Sequence, residues 1–209
     1  MFPKPANEAQ RLDALRTYEI LDSAPELAYD DIVELAAQIC HCPIAYISFI
    51  GDDRRWLKAR YGLRPEVVEA PRGAAVCATT ICGTEVLTVP DISRDARFDQ
   101  SPMAKSDPPC RFYCGTPLIT DEGYALGTLC VMDFEPRKLD FDQVEALRRL
   151  SRQILTQLEL RRHAHDLAAA HKAREALIDG RHLRCTVTFG RGFKRNIGRS
   201  GIHGSSDLV

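Results

Sequence analysis

RFYCGTPLITDEGYALGTLCVMD, residues 111–133, is the stretch from which the fold is read. It forms two strands joined by a tight turn at Thr120-Asp121-Glu122-Gly123. Glycine accepts a positive φ and aspartate bonds its own backbone, so this turn closes a hairpin. In the second strand Tyr124, Leu126, Thr128, Cys130 and Met132 share one face, and Ala125, Gly127, Leu129 and Val131 share the other. Both faces are largely apolar, which predicts an interior strand with cover on both sides.

Upstream, residues 8–20 read as a helix with Leu12, Leu15 and Ile20 as its apolar side, broken by Leu21-Asp22-Ser23-Ala24-Pro25. Residues 28–40 read as a second helix, with Ile32, Leu35, Ala36 and Ile39 at helical spacing. Pro43 opens a first hairpin: a strand from Ile44 to Ile50, a turn at Gly51-Asp52-Asp53, and a strand from Arg54 to Tyr61. In that second strand Trp56, Lys58 and Arg60 alternate with Leu57, Ala59 and Tyr61. Residues 62–71 are expected to be a loop, 73–82 a short helix, and Val86 to Val89 a brief strand. The irregular segment from Pro90 to Pro109 is long for a compact domain, and such loops are usually functional or mobile.

Downstream of the main hairpin, Asp140 is placed to cap a helix from Phe141 to about Ile178. Val144, Leu147, Leu150, Ile154 and Leu158 give its first half a continuous apolar stripe. Beyond Arg161 the stripe thins to Ala164, Leu167, Ala168 and Leu177. A stripe that thin is not buried alone, so the distal half is expected to project and pair with another chain, a solvated helix being the alternative. The composition changes at Gly180, and residues 180–209 read as a disordered basic tail.

A chain of 209 residues with 44% hydrophobic content supports one domain plus flanking helices. No apolar run approaches the roughly 18 residues of a membrane span, and the N-terminal sequence lacks a secretory pattern. The expectation is a cytoplasmic protein without membrane contact. Residues 181–209 carry six Lys and Arg against Asp207 alone, while the whole chain has net charge −1, so the body is acidic. That argues against nucleic acid as a partner of the core. Of the eight cysteines, Cys40 and Cys42 are too close for an ordinary disulfide, while Cys77, Cys82, Cys110, Cys114 and Cys130 stand in apolar surroundings. In a cytoplasmic protein most of them are expected to be reduced, buried and inert.

The order helix, hairpin, short helix, long loop, hairpin, exit helix resembles a GAF domain. The local sequences carry the resemblance: RLDALRTYEILDSAPELAYDDIVELAAQIC, PIAYISFIGDDRRWLKARYGL, VLTVPDISRDARFDQSP and RFYCGTPLITDEGYALGTLCVMDFEPRKL. They are similar to GAF modules upstream of bacterial sensor histidine kinases and cyclic-dinucleotide enzymes. RFYxGxPL combined with GYxLGTLCVxD is the specific part, and the likeness covers about residues 8–160. The resemblance implies an α+β, PAS-related fold with an antiparallel sheet of five or six strands. Helices pack on one face, a ligand pocket lies on the other, and a long C-terminal helix leaves the domain. It implies a sensor rather than a catalyst, dimerisation through terminal helices, and a kinase or cyclic-dinucleotide enzyme as partner in trans. The domain plan is a tail at 1–7, the GAF domain at 8–160, a signalling helix at 161–179 and the tail at 180–209. Two departures narrow the ligand. Val76-Cys77-Ala78-Thr79 stands where related modules carry Phe-Cys-Ala-His, which weakens a Cys-His site for metal or bilin. The Asn-Lys-Phe-Asp-Glu signature of cyclic-nucleotide binders is absent. The small-molecule ligand and any cofactor stay unassigned.

Trp56, Arg72, Cys77, Thr80, Asp91, Phe98 and Arg111 are the candidate pocket residues, since a ligand cavity needs apolar walls with a few polar anchors. The plainer reading makes Trp56 and Phe98 core plugs and Asp91 a cap. An alternative rests on GAF-fold enzymes that reduce free methionine sulfoxide with one cysteine on the short helix and another at the end of the lid loop. Cys77 and Cys110 echo that pair, with Arg72 or Arg111 supplying a positive field. A redox-sensing disulfide without turnover is a related reading, and a dimerisation scaffold with a self-filled pocket is the third. Cys40-His41-Cys42 and Cys77-x4-Cys82 match structural zinc poorly, so no metal is assigned. His41 suits a helix C-terminus. His163, His165 and His171 lie on the exit helix without an ATP motif after them and read as solvated.

Overall fold

The computed structural model describes residues 3–189, with side chains to Ile178. Four α-helices, α1 (Glu8–Thr17), α2 (Leu27–Cys40), α3 (Cys77–Thr80) and α4 (Phe141–Phe189), accompany six strands. These are β1 (Ile44–Ile50), β2 (Arg54–Tyr61), β3 (Glu69–Pro71), β4 (Leu87–Val89), β5 (Phe112–Ile119) and β6 (Ala125–Asp133). All pairings are antiparallel, in the order β3-β2-β1-β6-β5-β4. β6 therefore lies inside the sheet, between β1 and β5, as its two apolar faces required. Its hairpin turn closes through Gly123 N–H donating to Thr120 O at 2.9 Å, with Gly123 at φ +88°. The chain divides into two compact units, residues 1–164 and 165–209. The sheet and all the sites described below belong to the first.

Two one-residue irregularities alter the expected faces. Between β1 and β2, Ile47 pairs with Ala59 but Ser48 with Leu57, so Lys58 is the extra residue. Trp56 and Ala59, expected on opposite faces, both join the helix-side core. Between β5 and β6, Leu118 pairs with Gly127 but Ile119 with Ala125, leaving Leu126 as the extra residue. Leu126 and Tyr124 consequently pack with the helices, while Cys130 and Met132 belong to the other face. Period two holds only between bulges.

One face of the sheet is covered by α1, α2 and the first half of α4. Leu15, Val33, Ala36, Leu147, Ile154 and Leu158 meet Ala45, Ile47, Phe49, Leu129 and Val131 there. α2 is rotated from the expected orientation: Tyr29, Ile32, Val33, Ala36, Ala37 and Cys40 are buried, whereas Leu35 and Ile39 are exposed. It ends at His41, which takes the left-handed conformation of a C-cap at φ 51°. α1 stops at Thr17, short of Ile20, because Glu19 has a positive φ and the chain turns there. α4 opens with a reciprocal cap: Gln143 N–H donates to Asp140 Oδ1 at 2.8 Å, and Asp140 N–H to Gln143 Oε1 at 3.1 Å. The helix continues to Phe189, past the expected end near Ile178. Gly180 costs a helix interior only about 1 kcal/mol and does not terminate it. Residues 190–209 of the expected basic tail lie outside the described residues.

The opposite face is covered by residues 72–82 and 90–110, which precede and follow the edge strand β4. The expected loop at 62–71 ends in β3, an edge strand in which Pro71 is tolerated. The expected helix at 73–82 is a 3-10 turn at Arg72–Ala74 followed by the single turn of α3. The segment 90–110 lies over this face, with Ile92, Phe98 and Cys110 in its core. We call it the lid. It is fastened where it meets β5: Arg111 donates to Asp91 through Nε at 2.9 Å and Nη2 at 2.8 Å, and Ile92 N–H donates to Arg111 O at 2.6 Å. Asp91 also caps the 3-10 turn Ile92–Arg94 through Ser93 N–H.

Candidate functional site

Beneath the lid the sheet presents a row of buried polar side chains. Register places them: Cys130 of β6 stands opposite Tyr46 of β1 on one side and Gly115 of β5 on the other, and Thr128 stands opposite Ser48. Cys130 Sγ lies 3.0 Å from Thr128 Oγ1 and 3.2 Å from the Tyr113 hydroxyl. Tyr113 reaches it diagonally across Gly115, where a Cβ would sit 2.2 Å from the Tyr113 hydroxyl oxygen. The missing side chain at Gly115 is what lets the ring lie along the strand. From there the network runs to Thr80 on α3, whose Oγ1 is 2.7 Å from the Tyr113 hydroxyl. In the other direction it runs to Ser48, 2.9 Å from Thr128 Oγ1.

α3 delivers Cys77 into this network. Its Sγ is 3.2 Å from the Tyr46 hydroxyl and 3.7 Å from Cys130 Sγ. Both sulfurs are fully buried free thiols. Arg55 of β2 completes the layer. Its guanidinium carbon lies 5.3 Å from the centre of the Tyr46 ring, and only 7% of the residue is exposed. Among the described residues no carboxylate forms an ion pair with Arg55, and its buried Nε has no hydrogen-bond acceptor. A buried cation without a carboxylate is costly unless something else takes the negative charge.

The thiols respond to these surroundings in opposite directions. Burial alone pushes Cys77 up, but the hydrogen bond from Cys130, the Arg55 charge and the hydrogen bonds of Tyr46 and Thr128 outweigh it and hold its pKa well below the ordinary value. Cys130 is pushed up by burial and by its hydrogen bond to Cys77. Burial likewise raises both phenols, Tyr46 and Tyr113. The same contact thus drives the two thiols apart, Cys77 down and Cys130 up. Other cysteines contrast with it: Cys40, Cys42 and Cys110 are each pushed up to about 12, chiefly by burial.

Of the seven residues expected to line a pocket, Cys77, Thr80 and Phe98 do meet under the lid. Trp56 does not; it packs in the helix-side core, because strand parity sends Arg55 and Leu57 to the lid side instead. Arg72 is held by Glu8 and by Gly51 O, the latter at 2.9 Å. Asp91 and Arg111 pair with each other at the margin of the lid. The Cys77–Cys110 pairing is not formed: Cys110 Sγ faces the carbonyl oxygens of Phe112 and Asp133 at 3.3 and 3.4 Å, and Cys77 has Cys130 as its partner. Cys82, expected to be buried, is exposed. Arg55, Tyr46, Tyr113 and Ser48 were not anticipated. The only signal for them was strand parity relative to Cys130, and the bulge at Lys58 obscures it on β2.

The sequence profile of the GAF domain matches residues 24–158. The chain belongs to the GAF domain family. A cyclic di-GMP phosphodiesterase of Pseudomonas aeruginosa, PA2567, is 36% identical over 135 residues, which is 65% of this chain and 23% of that protein. The chain thus spans about a quarter of the length of that relative. Among solved structures, the GAF domain of an Acinetobacter phosphoenolpyruvate-protein phosphotransferase superposes with a TM-score of 0.56 at 20% identity, covering 77% of this chain and 96% of that one. A free methionine-R-sulfoxide reductase from Neisseria meningitidis superposes with a TM-score of 0.54 at 16% identity, covering 78% and 97%. At these identities the likeness is one of fold. Among the described residues no group of His, Cys, Asp and Glu is arranged to hold a metal ion, and no helix is long and apolar enough to cross a membrane.

Proposed function

We propose that this GAF domain is a sensory module. Its input is a chemical event in the polar layer under the lid, either binding of a small anionic or polar molecule or a change of redox state, and its output leaves through α4. The observation that carries this reading is Arg55: a buried guanidinium, unpaired with any described carboxylate, beside a connected row of phenols, hydroxyls and thiols on the face opposite the helical core. The buried cations of the helix side, Arg11 and Lys58, each have a carboxylate partner, and Arg55 has none among the described residues. Charge or ligand arriving there would alter the packing of the lid and of β6, whose other face contacts α4 through the shared core. Leu167 and Leu177 of the distal helix are exposed and would take part in pairing with a second chain. The likeness to a cyclic di-GMP phosphodiesterase supports an enzyme of cyclic-dinucleotide signalling, or a histidine kinase, as the recipient of the signal, and a cytoplasmic location fits such a partner. The reductase reading has weaker support, because Cys110 is not beside Cys77.

Native mass spectrometry of protein purified from cells tests the ligand input. A retained small molecule lost in Arg55→Gln supports it, and the same retained mass in both proteins would reject Arg55 as its anchor. Truncation after residue 160 tests the output: monomers are expected, and unchanged dimers would reject pairing through the distal helix.

A further inference from the structure

Cys77 and Cys130 are 53 residues apart in sequence, yet their sulfurs stand 3.7 Å from one another, and the Arg55 charge acts on Cys77. That is contact distance for two sulfurs, and closing it to a disulfide bond of about 2.05 Å needs a movement of under about 2 Å. α3, which carries Cys77, is a single turn and is the adjustable partner, whereas Cys130 is fixed in the middle of the sheet. Each sulfur also has polar neighbours that orient it: the Tyr46 hydroxyl for Cys77, and Thr128 and Tyr113 for Cys130. Arg55 lies over the Tyr46 ring, and the Tyr46 hydroxyl touches Cys77, so a negative charge formed at Cys77 would arise in the layer that holds the guanidinium.

We propose that Cys77 and Cys130 form a redox-active dithiol, with Cys77 as the attacking thiolate, Cys130 as the resolving thiol and a small hydroperoxide as the oxidant. The Cys77 thiolate attacks the terminal oxygen of the hydroperoxide. A sulfur–oxygen bond forms, the O–O bond breaks, and the departing alkoxide takes a proton to leave as alcohol, or as water when the oxidant is hydrogen peroxide. Cys77 is now a sulfenic acid. Cys130 gives up its proton to the departing hydroxide and attacks the Cys77 sulfur, so the S–O bond breaks, the S–S bond forms and water leaves. Two thiols lose two electrons and the peroxide gains them. Oxidation removes the charge that Arg55 balances and ties α3 to the central strand, which changes the layer from which the proposed signal starts. The assignment gives residues to the redox form of the sensory reading and depends on that reading for its consequence, though not for its chemistry.

The test uses the full chain carrying Cys82→Ser and Cys185→Ser, so that neither the exposed thiol nor the cysteine outside the residues with described side chains reports. Stoichiometric hydrogen peroxide is added, and peptide mapping without reduction follows. A Cys77–Cys130 linked peptide is expected, with loss of two free thiols that dithiothreitol restores. Cys130→Ser is expected to stop at a Cys77 sulfenic acid trapped by dimedone, and Cys77→Ser to leave Cys130 unmodified. Arg55→Gln is expected to slow oxidation at neutral pH by about tenfold, and to move the pH at which Cys77 reacts upward. Oxidation that spares both cysteines, links either one to Cys40, Cys110 or Cys114, or proceeds equally fast in Arg55→Gln at every pH would overturn the proposal. Arg55→Lys, which keeps the charge, is the folding control and should retain the linked peptide. If the disulfide forms but the oligomeric state and hydrogen exchange of α4 stay unchanged, the dithiol stands and the sensory reading falls. If ligand retention is seen without any disulfide, the reverse holds.

Discussion

The two faces of the sheet are made by the same strands, often by adjacent residues, and both bury an apolar cluster, but the lid face adds a connected polar row. Toward the helices β1 presents Ala45, Ile47 and Phe49; toward the lid it presents Tyr46 and Ser48. β6 gives Leu129 and Val131 to one side and Thr128 and Cys130 to the other. Burial is equally complete on both. The helix side gains about 25 cal/mol for each Å² of apolar surface removed from water. The lid side gains the same from Ile44, Ile50, Leu57, Val89, Ile92 and Phe98, but it also holds hydroxyls, thiols and a guanidinium that gain little from burial and would cost several kcal/mol if left unpartnered. Both faces contribute stability, and the lid face carries in addition a polar row that burial of apolar surface does not require.

Substitutions test how far this contrast holds. The largest effect is expected at Gly127, on the seam between β1 and β6 that both layers share. A Cβ there would lie 2.0 Å from Ser48 O, so Gly127→Ala should separate the central strands and cost more than about 4 kcal/mol, read as loss of soluble protein or of cooperative unfolding. Next comes the helix side alone. Ile154→Ala should cost about 3 kcal/mol in urea unfolding without altering Cys77 reactivity.

Glu8 tests the ionic contacts that tie α1 to the sheet. It pairs with Arg11, which is fully buried, and with Arg72. Burial raises its pKa, but the hydrogen bonds and charges of Arg11 and Arg72 prevail and lower it to about 2 from 4.5. Since the folded value is depressed, the stabilisation is complete above about pH 4.5 and is lost as pH falls toward 2. Glu8→Gln should cost about 2 kcal/mol at pH 7, and should flatten stability against pH over that same window. The lid side is expected to be the most tolerant. Tyr113→Phe should cost only about 1 kcal/mol, while raising the pH at which Cys130 resolves oxidised Cys77. A cost equal to that of Ile154→Ala would erase the distinction between the two layers. Arg111→Ala should leave global unfolding unchanged and speed hydrogen exchange within 91–110, because it removes the paired contact that fastens the lid.

Much of the fold was legible in local pattern. The 111–133 hairpin, the interior place of its second strand, the Asp140 cap and the apolar stripe from Leu147 to Leu158 follow from turn chemistry and periodicity, and the structure has all of them. The GAF resemblance came from those same segments, and the match over residues 24–158 agrees with it. Trp56 shows where local pattern stops. Which side of a strand becomes the site depends on where a bulge falls and which face the helices take, and neither is written in β2 itself.

By itself the sequence determined the two long hairpins, the main helices and the presence of thiols, because turns, caps and periodic burial act over a few residues. Only tertiary structure decided that Cys77 meets Cys130 rather than Cys110, and that Arg55 rather than Trp56 faces them. The physical reason is that a sulfur–sulfur contact across 53 residues is set by strand register and by the seating of one helical turn. Those depend on the packing of the whole sheet, not on the residues beside each cysteine.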